Sequence, residues 1–214
     1  MCVAYRLLED HGSLKPGDSV ILNAANSTVG TCVIQLCRML KLRAVAVVRD
    51  RGDAAEFEAT SSRLKSLGAS EVLLDGGSIK AKLDENKFFA KPRLALDAVG
   101  GASAVALADA LQDGCPLVVY GCMSGKPPQF VWAQWVFKDL SVRGFNLRHW
   151  MSTNKKKIPL MLETLAKLVN ADKLRLDFTE YELSEEFKEA LDHAQESGRN
   201  TKVLLRVSDV GVTY

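Results

Sequence analysis

The sequence predicts an α/β protein built on a doubly wound parallel sheet, and three observations support that prediction. Short apolar runs alternate along the chain with stretches whose apolar residues recur at helical spacing. The short runs are continuously apolar, which is typical of strands that helices cover on both faces. Strand–helix–strand alternation in turn indicates parallel strands joined by helical crossovers.

Composition narrows the function classes. The chain has 214 residues, of which 47% are hydrophobic and 25% charged, so wholesale disorder is excluded. No apolar run reaches the ~18 residues of a membrane span, so we expect no membrane-spanning helix. The net charge of +2 is too small and too scattered to indicate a nucleic-acid partner.

The elements of the first part of the chain follow in order. A helix-like run opens the chain and breaks at Gly12. Apolar runs predict strands at residues 19–25, 43–50, 70–75, 93–99, 115–121 and 140–147. Helical spacing of apolar residues predicts helices at 29–40, 56–68 and 102–112, with Gly68 as a natural stop. Residues 75–92 are the least regular and are predicted to be a surface connection.

The tail has a different pattern. An amphipathic helix is predicted at 158–174, and an alternating strand at 175–183. Ser184 is a plausible N-cap for a helix over 184–198, and a final strand is predicted at 201–207. This piece is predicted to belong to a second domain.

The cysteines point to neither a disulfide framework nor a metal site. The chain has five, an odd number, and no pair has C-x-x-C spacing. We expect all of them to be small buried side chains. The three histidines are scattered, so no metal ligand is predicted.

The loop between the first strand and the first helix, "NAANSTVG", has the position of a dinucleotide-binding turn. A G-x-G-x-x-G pattern ending at Gly30 would place Ala25 and Ser27 where the first two glycines stand. The alternative is an ordinary strand–helix turn. The strand before the loop and the helix after it favour the cofactor interpretation.

The end of the second strand indicates which dinucleotide is bound. An NAD site usually has an acidic residue here that holds the ribose 2′-hydroxyl. This strand ends in Arg49, Asp50 and Arg51. An arginine pair would neutralise a 2′-phosphate and donate to it, which favours NADP(H). The alternative is a pair of solvated surface arginines.

With these residues in view, the chain resembles the mitochondrial trans-2-enoyl-thioester reductases, zinc-free members of the medium-chain dehydrogenase/reductase superfamily. The resemblance covers nearly the whole chain. It rests, in order, on "AYRLLED", "LKPGDSVILNAANSTVG", "VVRDR", "RLKSLGA", "RLALDAVGG", "VVYGCMS", "FKDLSVRGF" and "TKVLLRV".

The resemblance implies an NADPH site. Its pyrophosphate loop would be Asn26, Ser27, Thr28 and Val29, and its 2′-phosphate site Arg49, Asp50 and Arg51. The remaining implied contacts lie toward the nicotinamide and the substrate cleft: Tyr120, Gly121, Cys122, Met123, Phe145, Asn146, Leu147 and Lys202.

Two positions depart from the family pattern. The family commonly has glycine at the place of Thr28 and tryptophan at the place of Asn146. The first change implies a tighter approach of the loop backbone to the pyrophosphate, and the second implies a different acyl pocket.

The resemblance also implies a domain plan. Residues 1–171 would be the NADP(H)-binding domain, and 172–214 the return segment of an incomplete GroES-like catalytic domain. The family's catalytic tyrosine belongs to the N-terminal catalytic domain, and no motif of this chain matches it. Tyr120 is not that tyrosine, because it lies on a predicted strand of the cofactor domain. No catalytic residue is therefore predicted in this chain.

The implied function is NADPH-dependent reduction of enoyl-CoA or enoyl-acyl-carrier-protein in mitochondrial fatty acid synthesis, by a homodimer. The aromatic stretch 130–140 is predicted to lie at that dimer interface, with burial in the core as the alternative. The other functions left open are a related quinone or alkenone reductase and a non-catalytic NADPH-binding module. A methyltransferase is disfavoured, because its ribose site would want an acidic residue where Arg49 stands.

Overall fold

The structure is a computed structural model, and it describes residues 1–76, 79–85, 90–196 and 201–207. The chain divides into two compact units, Met1–Leu174 and Arg175–Tyr214. The strands of the first unit are β1 (Ser19–Leu22), β2 (Arg43–Val48), β3 (Ala69–Leu74), β4 (Leu94–Asp97), β5 (Pro116–Val119) and β6 (Ser141–Gly144). Its helices are α1 (Cys2–Asp10), α2 (Thr28–Met39), α3 (Ala54–Leu67), α4 (Ile79–Glu85), α5 (Gly101–Ala110), α6 (Trp132–Phe137), α7 (Leu147–Thr153) and α8 (Ile158–Asn170).

The six strands of this unit form one parallel sheet in the order β3-β2-β1-β4-β5-β6. Strands β1 to β3 are added in one direction across the sheet and β4 to β6 in the other, so the strand order reverses between β1 and β4, which we call the reversal point. At this point Ile21 of β1 pairs with Val45 of β2 on one side and with Ala95 of β4 on the other. The predicted doubly wound parallel sheet is confirmed. In such a sheet, ligands bind outside the carboxyl ends of the strands at the reversal point.

The core lies on both faces of the central strands. Every residue of β1 and β4 is buried, which accounts for their continuously apolar sequence. On one face, Ile21 and Leu117 pack in a cluster with Leu107 of α5 and with Ile79 of α4. This central packing fixes the strand ends that the candidate site is built on.

Local sequence sets the ends of the principal helices. Ser27 caps α2 by accepting from Gly30 N, and Asp53 caps α3 by accepting from Ala55 and Glu56 N. The prediction that Gly68 ends α3 is confirmed, because Gly68 adopts a left-handed φ of 117° and its N–H donates to Leu64 O.

Three sequence-based expectations differ from the structure. The irregular stretch 75–92 contains α4, whose Ile79 and Leu83 are buried four residues apart on one helix face. The strand predicted at 140–147 ends at Gly144, and its last residue begins α7. The expectation that all cysteines are buried is wrong for Cys122, which is exposed, and for Cys2, which is half-buried.

The second unit is a small β–α–β arrangement. Strands β7 (Phe178–Glu182) and β8 (Lys202–Arg206) pair in parallel, with Phe178 opposite Lys202. Helix α9 (Phe187–Gln195) connects them. It is shorter than the predicted helix 184–198, whose last two residues lie outside the described residues. The prediction of Ser184 as its N-cap is wrong, because residues 183–185 form a turn and the helix begins after Glu186. The assignment of this unit to a GroES-like domain stays a prediction, and so does the boundary after residue 171.

Candidate functional site

The residues predicted to bind the cofactor follow the carboxyl ends of parallel strands. Residues 26–29 come after β1, 49–51 after β2, 120–123 after β5 and 145–147 after β6. Parallel strands end at the same edge of their sheet, so the fold brings these four groups to one edge. Their order along the edge places the first two groups on one side of the reversal point and the last two on the other.

The turn after β1 is tight. Ala24 adopts a left-handed φ of 46°, and the Ala25 amide donates to Val47 O of β2 at 3.2 Å. A Cβ at Gly30 would lie 2.5 Å from Ala25 O, so only glycine fits there. The amides of Thr28 and Val29 open α2, where N–H groups lack helical acceptors and favour anions.

The end of β2 carries the cationic group. Asp50 Oδ1 accepts from Gly52 N at 2.8 Å and closes the turn that follows the strand. Arg51 Nη1 lies 2.9 Å from Glu56 Oε1 in the first turn of α3. Arg49 is exposed. The end of β2 thus lies beside the β1–α2 turn, because Ala25 is bonded to Val47, two residues before Arg49.

A buried polar network joins the two strands at the reversal point. Asn23 Nδ2 donates to Asp97 Oδ1 at 2.6 Å and to Ser103 Oγ at 2.8 Å, while Asn23 Oδ1 accepts from Ala98 N at 2.8 Å. Asp97 Oδ1 also accepts from Val99 N and Gly100 N, which is the turn role expected of a strand-ending aspartate. Asp97 is fully buried, and its Oδ2 finds no hydrogen-bond partner within the described residues.

The loops after β4 and β5 are joined backbone to backbone. The Tyr120 amide donates to Asp97 O, and the Met123 amide donates to Ala98 O, both at 2.9 Å. A Cβ at Gly121 would lie 3.0 Å from Ala98 O, which shows how closely the two loops approach. The structure therefore holds residues 120–123 against the reversal point.

Tyr120 has an unusual hydroxyl. Its oxygen is buried and finds no partner among the residues that the structure describes. Burial raises the pKa of the Tyr120 phenol above its ordinary value, and the negative charge of Asp97 raises this pKa further. The Tyr120 hydroxyl and Asp97 Oδ2 are two buried polar atoms at the reversal point for which a ligand group or a water would supply partners.

The segment after β6 is held against β5 and against His11, the residue that follows α1. The Phe145 amide donates to Val119 O at 2.8 Å, and the Phe145 ring meets the His11 ring edge-on with centroids 6.0 Å apart. Asn146 caps α7 by accepting from His149 N at 3.0 Å. Where the family commonly has tryptophan, this chain therefore has a helix cap.

Lys202 is the predicted contact that belongs to the second unit. It is the first residue of β8 in the second unit, and its amide donates to Asp177 O at 2.9 Å. Its role in cofactor binding stays a prediction.

Sequence reasoning missed Asn23, Ser103 and Glu56. Asn23 and Ser103 are polar residues in apolar surroundings, which is the signal that could have identified them. Glu56 gave no such signal, because it lies in an exposed, charged helix start. In the described ranges, no group of three or more His, Cys, Asp or Glu side chains is placed to hold a metal ion. No helix among the described residues has the length and apolarity to cross a membrane.

Comparison with known proteins reveals clear relatives. The chain is 37% identical over 209 residues to the human mitochondrial enoyl-acyl-carrier-protein reductase, covering 95% of this chain and 54% of that protein. It is 39% identical over 196 residues to the Arabidopsis thaliana enzyme of the same name, covering 89% of this chain and 50% of that protein. The chain thus spans about half the length of the curated relatives it matches. No protein-family model matches it.

Solved structures share the fold. The complex of Etr1p with NADP and crotonyl-CoA superposes with a TM-score of 0.84 at 23% identity, over 96% of this chain and 58% of that one. The Candida tropicalis mitochondrial 2-enoyl thioester reductase Etr1p/Etr2p heterodimer gives 0.82 at 23% identity, over 92% and 57%. A Bacillus thuringiensis protein assigned as an NADPH:quinone reductase gives 0.81 at 25% identity, over 96% and 61%.

Proposed function

Because this chain is a homologue of the mitochondrial enoyl-acyl-carrier-protein reductases over the half of their length that it spans, we propose that it supplies the NADP(H)-binding part of an enoyl-thioester reductase. The substrate is a trans-2-enoyl thioester of coenzyme A or of acyl carrier protein. The names of the relatives and the Etr1p complex with NADP and crotonyl-CoA support this proposal.

One observation carries the cofactor assignment. Arg49 and Arg51 follow β2 at the place where an NAD-binding sheet has an acidic residue, directly beside the β1–α2 turn. Two guanidinium groups there suit a dianionic 2′-phosphate better than a ribose hydroxyl. The amides that open α2 suit the pyrophosphate, and the absence of a side chain at Gly30 lets the turn pack closely against the start of α2.

NADPH supplies the hydride when it is bound. The chain's own contribution is to bind and orient the cofactor: Asn26 to Val29 at the pyrophosphate, Arg49 to Arg51 at the 2′-phosphate, and Tyr120 to Met123 on the nicotinamide side. The buried Asn23–Asp97 network holds the reversal point rigid between these two ends. No residue of this chain is proposed to protonate the substrate.

The test is a fluorescence titration of the chain with NADPH and, in parallel, NADH. We expect tighter binding of NADPH, and we expect the double variant Arg49→Ala/Arg51→Ala to lose that preference. Lys155→Ala/Lys156→Ala removes the same charge from an exposed 3-10 turn and is the matched control. Equal binding of both cofactors by the folded wild-type chain would refute the 2′-phosphate site.

A quinone or alkenone reductase is the second candidate, favoured by the fold shared with the Bacillus thuringiensis protein. A substrate panel separates the two. NADPH oxidation with crotonyl-CoA, by the chain combined with the N-terminal half of the human relative, supports the first candidate. Oxidation with quinones only supports the second, and cofactor binding without turnover supports a non-catalytic module.

A homodimer formed through the sheet edge is part of the proposal. Strand β6 ends the sheet, and α6 before it exposes Trp132, Val136 and Phe137 by 66–70%. Exposed aromatic side chains beside a sheet edge favour burial against a second chain. Light scattering of the wild type and of Trp132→Ser/Phe137→Ser tests it, with a shift to monomer as the expected result.

We also propose a mitochondrial location, because the curated relatives carry that name. Residues 172–214 are proposed to form the return segment of a GroES-like domain. Exposed apolar side chains of the second unit support this, among them Phe187, Leu191 and Val207.

A further inference from the structure

The ion pair between Arg51 and Glu56 bears on how strongly the proposed 2′-phosphate site distinguishes NADP(H) from NAD(H). Arg51 Nη1 lies 2.9 Å from Glu56 Oε1, and the two side chains are 27% and 42% exposed. Solvent and a ligand can therefore reach both groups. Helix α3 does not need Glu56 as a cap, because Asp53 already accepts from the Ala55 and Glu56 amides.

We propose that Glu56 is a specificity-determining residue that competes with the cofactor's 2′-phosphate for Arg51, and so limits the preference for NADP(H) over NAD(H). The inference rests on the proposed function, since it assumes that Arg51 meets the 2′-phosphate. It concerns the strength of discrimination, which the arginine pair alone does not set.

The physical argument is a shared cation. A phosphate that takes hydrogen bonds from the Arg51 guanidinium must lie within the Debye length of about 8 Å from the Glu56 carboxylate, so the two anions repel. The guanidinium must also divide its donors between them. A ligand without the 2′-phosphate experiences neither effect, so the competition acts on NADP(H) alone.

Glu56 can be neutralised without disturbing the neighbouring backbone. Asp50 and Asp53 are the other acidic residues between β2 and the start of α3. The Asp50 side chain closes the turn through the Gly52 amide, and the Asp53 side chain caps α3, so changing either would alter the backbone. Glutamine at position 56 keeps the length of the side chain and has a similar helix propensity. Glu56→Gln therefore isolates the charge.

The experiment measures the binding of 2′,5′-ADP and of 5′-AMP to the 214-residue chain by calorimetry, since the two probes differ only in the 2′-phosphate. We expect Glu56→Gln to bind 2′,5′-ADP about two- to fivefold more tightly, the range of an exposed ion pair, with 5′-AMP unchanged. Glu58→Gln is the matched control. It removes the same charge from the same helix, where the Glu58 carboxylate accepts from Ser62 Oγ.

A second pair of variants tests whether Glu56 acts through Arg51. In an Arg51→Ala background, Glu56→Gln should give no gain, because the shared cation is absent. A gain that persists there, an equal gain in Glu58→Gln, or an equal gain for 5′-AMP overturns the inference. So does weaker binding of 2′,5′-ADP by Glu56→Gln, which would make Glu56 a positioning residue for Arg51.

The two proposals fail in distinguishable ways. If the wild-type chain prefers 2′,5′-ADP and Glu56→Gln changes nothing, the phosphate site stands and the role of Glu56 is refuted. If the wild type binds both probes equally, the 2′-phosphate site itself is refuted, and the inference falls with it.

Discussion

The two units of this chain both contain parallel strands joined by a helix, but the strands of the first unit are far more buried than those of the second. Each residue of β1 and β4 in the first unit is buried, whereas β7 and β8 in the second contain no buried residue. In the described part of α9 the buried residue is Ala190. Parallel strands are stable when helices cover both faces, so the first unit has its own core and the second has little.

The difference shows where stability resides. Apolar side chains such as Phe178, Leu204 and Leu205 remain 38–50% exposed on the second unit's strands. These strands mix apolar and charged residues, FTEYE in β7 and KVLLR in β8, and no position of either strand is buried. Substitutions should therefore have large effects in the first unit and small ones in the second.

Truncation of a core leucine tests this most strongly. Leu22→Ala on β1 should lower the free energy of unfolding by about 3 kcal/mol, because a fully buried side chain leaves a cavity. Leu204→Ala on β8 should cost less than about 1 kcal/mol, since Leu204 is already 38% exposed. Urea denaturation followed by circular dichroism measures both. Similar losses at the two positions would remove the contrast between the units.

Removing a buried hydrogen bond in the first unit should also lower the free energy of unfolding more than removing a half-exposed one in the second. Asn23→Ala leaves Ala98 N without its side-chain acceptor and removes a donor from the buried Asp97 carboxylate, at a cost of about 2–3 kcal/mol. Tyr181→Phe in the second unit removes a 2.9 Å bond to His193 Nδ1 and should cost about 1 kcal/mol or less. A larger loss in Tyr181→Phe, by the same denaturation assay, would contradict the comparison.

A pair of glycines tests how tightly the first unit is packed at its site. Gly30→Ala would place a Cβ 2.5 Å from Ala25 O, so we expect a loss of about 2 kcal/mol and weaker NADPH binding. Gly144→Ala meets no atom within 4 Å and should be nearly neutral. Thermal unfolding and NADPH titration of both variants give the readout. A stable Gly30→Ala variant with unchanged affinity would show that the turn can relax.

The smallest expected effect is a pH dependence carried by His11. Burial lowers the pKa of His11 below its ordinary 6.5, and Arg143 and Arg6 lower this pKa further, while Asp10 acts in the opposite direction. As the pH falls through 6.5, the unfolded chain therefore takes up a proton at His11 before the folded chain does. The contribution of neutral His11 to the free energy of unfolding is present above pH 6.5 and is lost as the pH falls below it.

His11→Gln should therefore flatten the dependence. Between about pH 7.5 and about pH 5.5, the wild type should lose more of its free energy of unfolding than the variant. Urea denaturation at the two pH values measures this. An equal loss in the wild type and in His11→Gln would show that other groups carry the dependence.

Much of the first unit was predictable because its signals are local. The apolar runs predicted all six of its strands, and Gly68 predicted where α3 ends. Helix α4 was missed because only Ile79 and Leu83 mark its buried face, and two residues are too few to establish a period. Strand β6 was predicted too long because Phe145 and Leu147 are as apolar as strand residues. Asn146 nevertheless begins a helix there by capping it.

The site was predictable in the same uneven way. Arg49 and Arg51 were identified because they end a recognisable strand. The partnership of Arg51 with Glu56, and that of Asn23 with Asp97 across 74 residues of chain, could not be predicted, because neither is implied by local spacing.

By itself, the sequence determined which segments of the first unit are strands, that α2, α3 and α5 follow three of them, and which polar residues stand at the strand ends. These are consequences of the hydrophobic period and of short-range capping and turn chemistry. The tertiary structure alone decided the strand order, which places β4 beside β1 and so joins Asp97 to Asn23 at the reversal point. It also decided which apolar strands are covered. The physical reason is that burial depends on what packs against a strand, and a strand's own residues do not specify that neighbour.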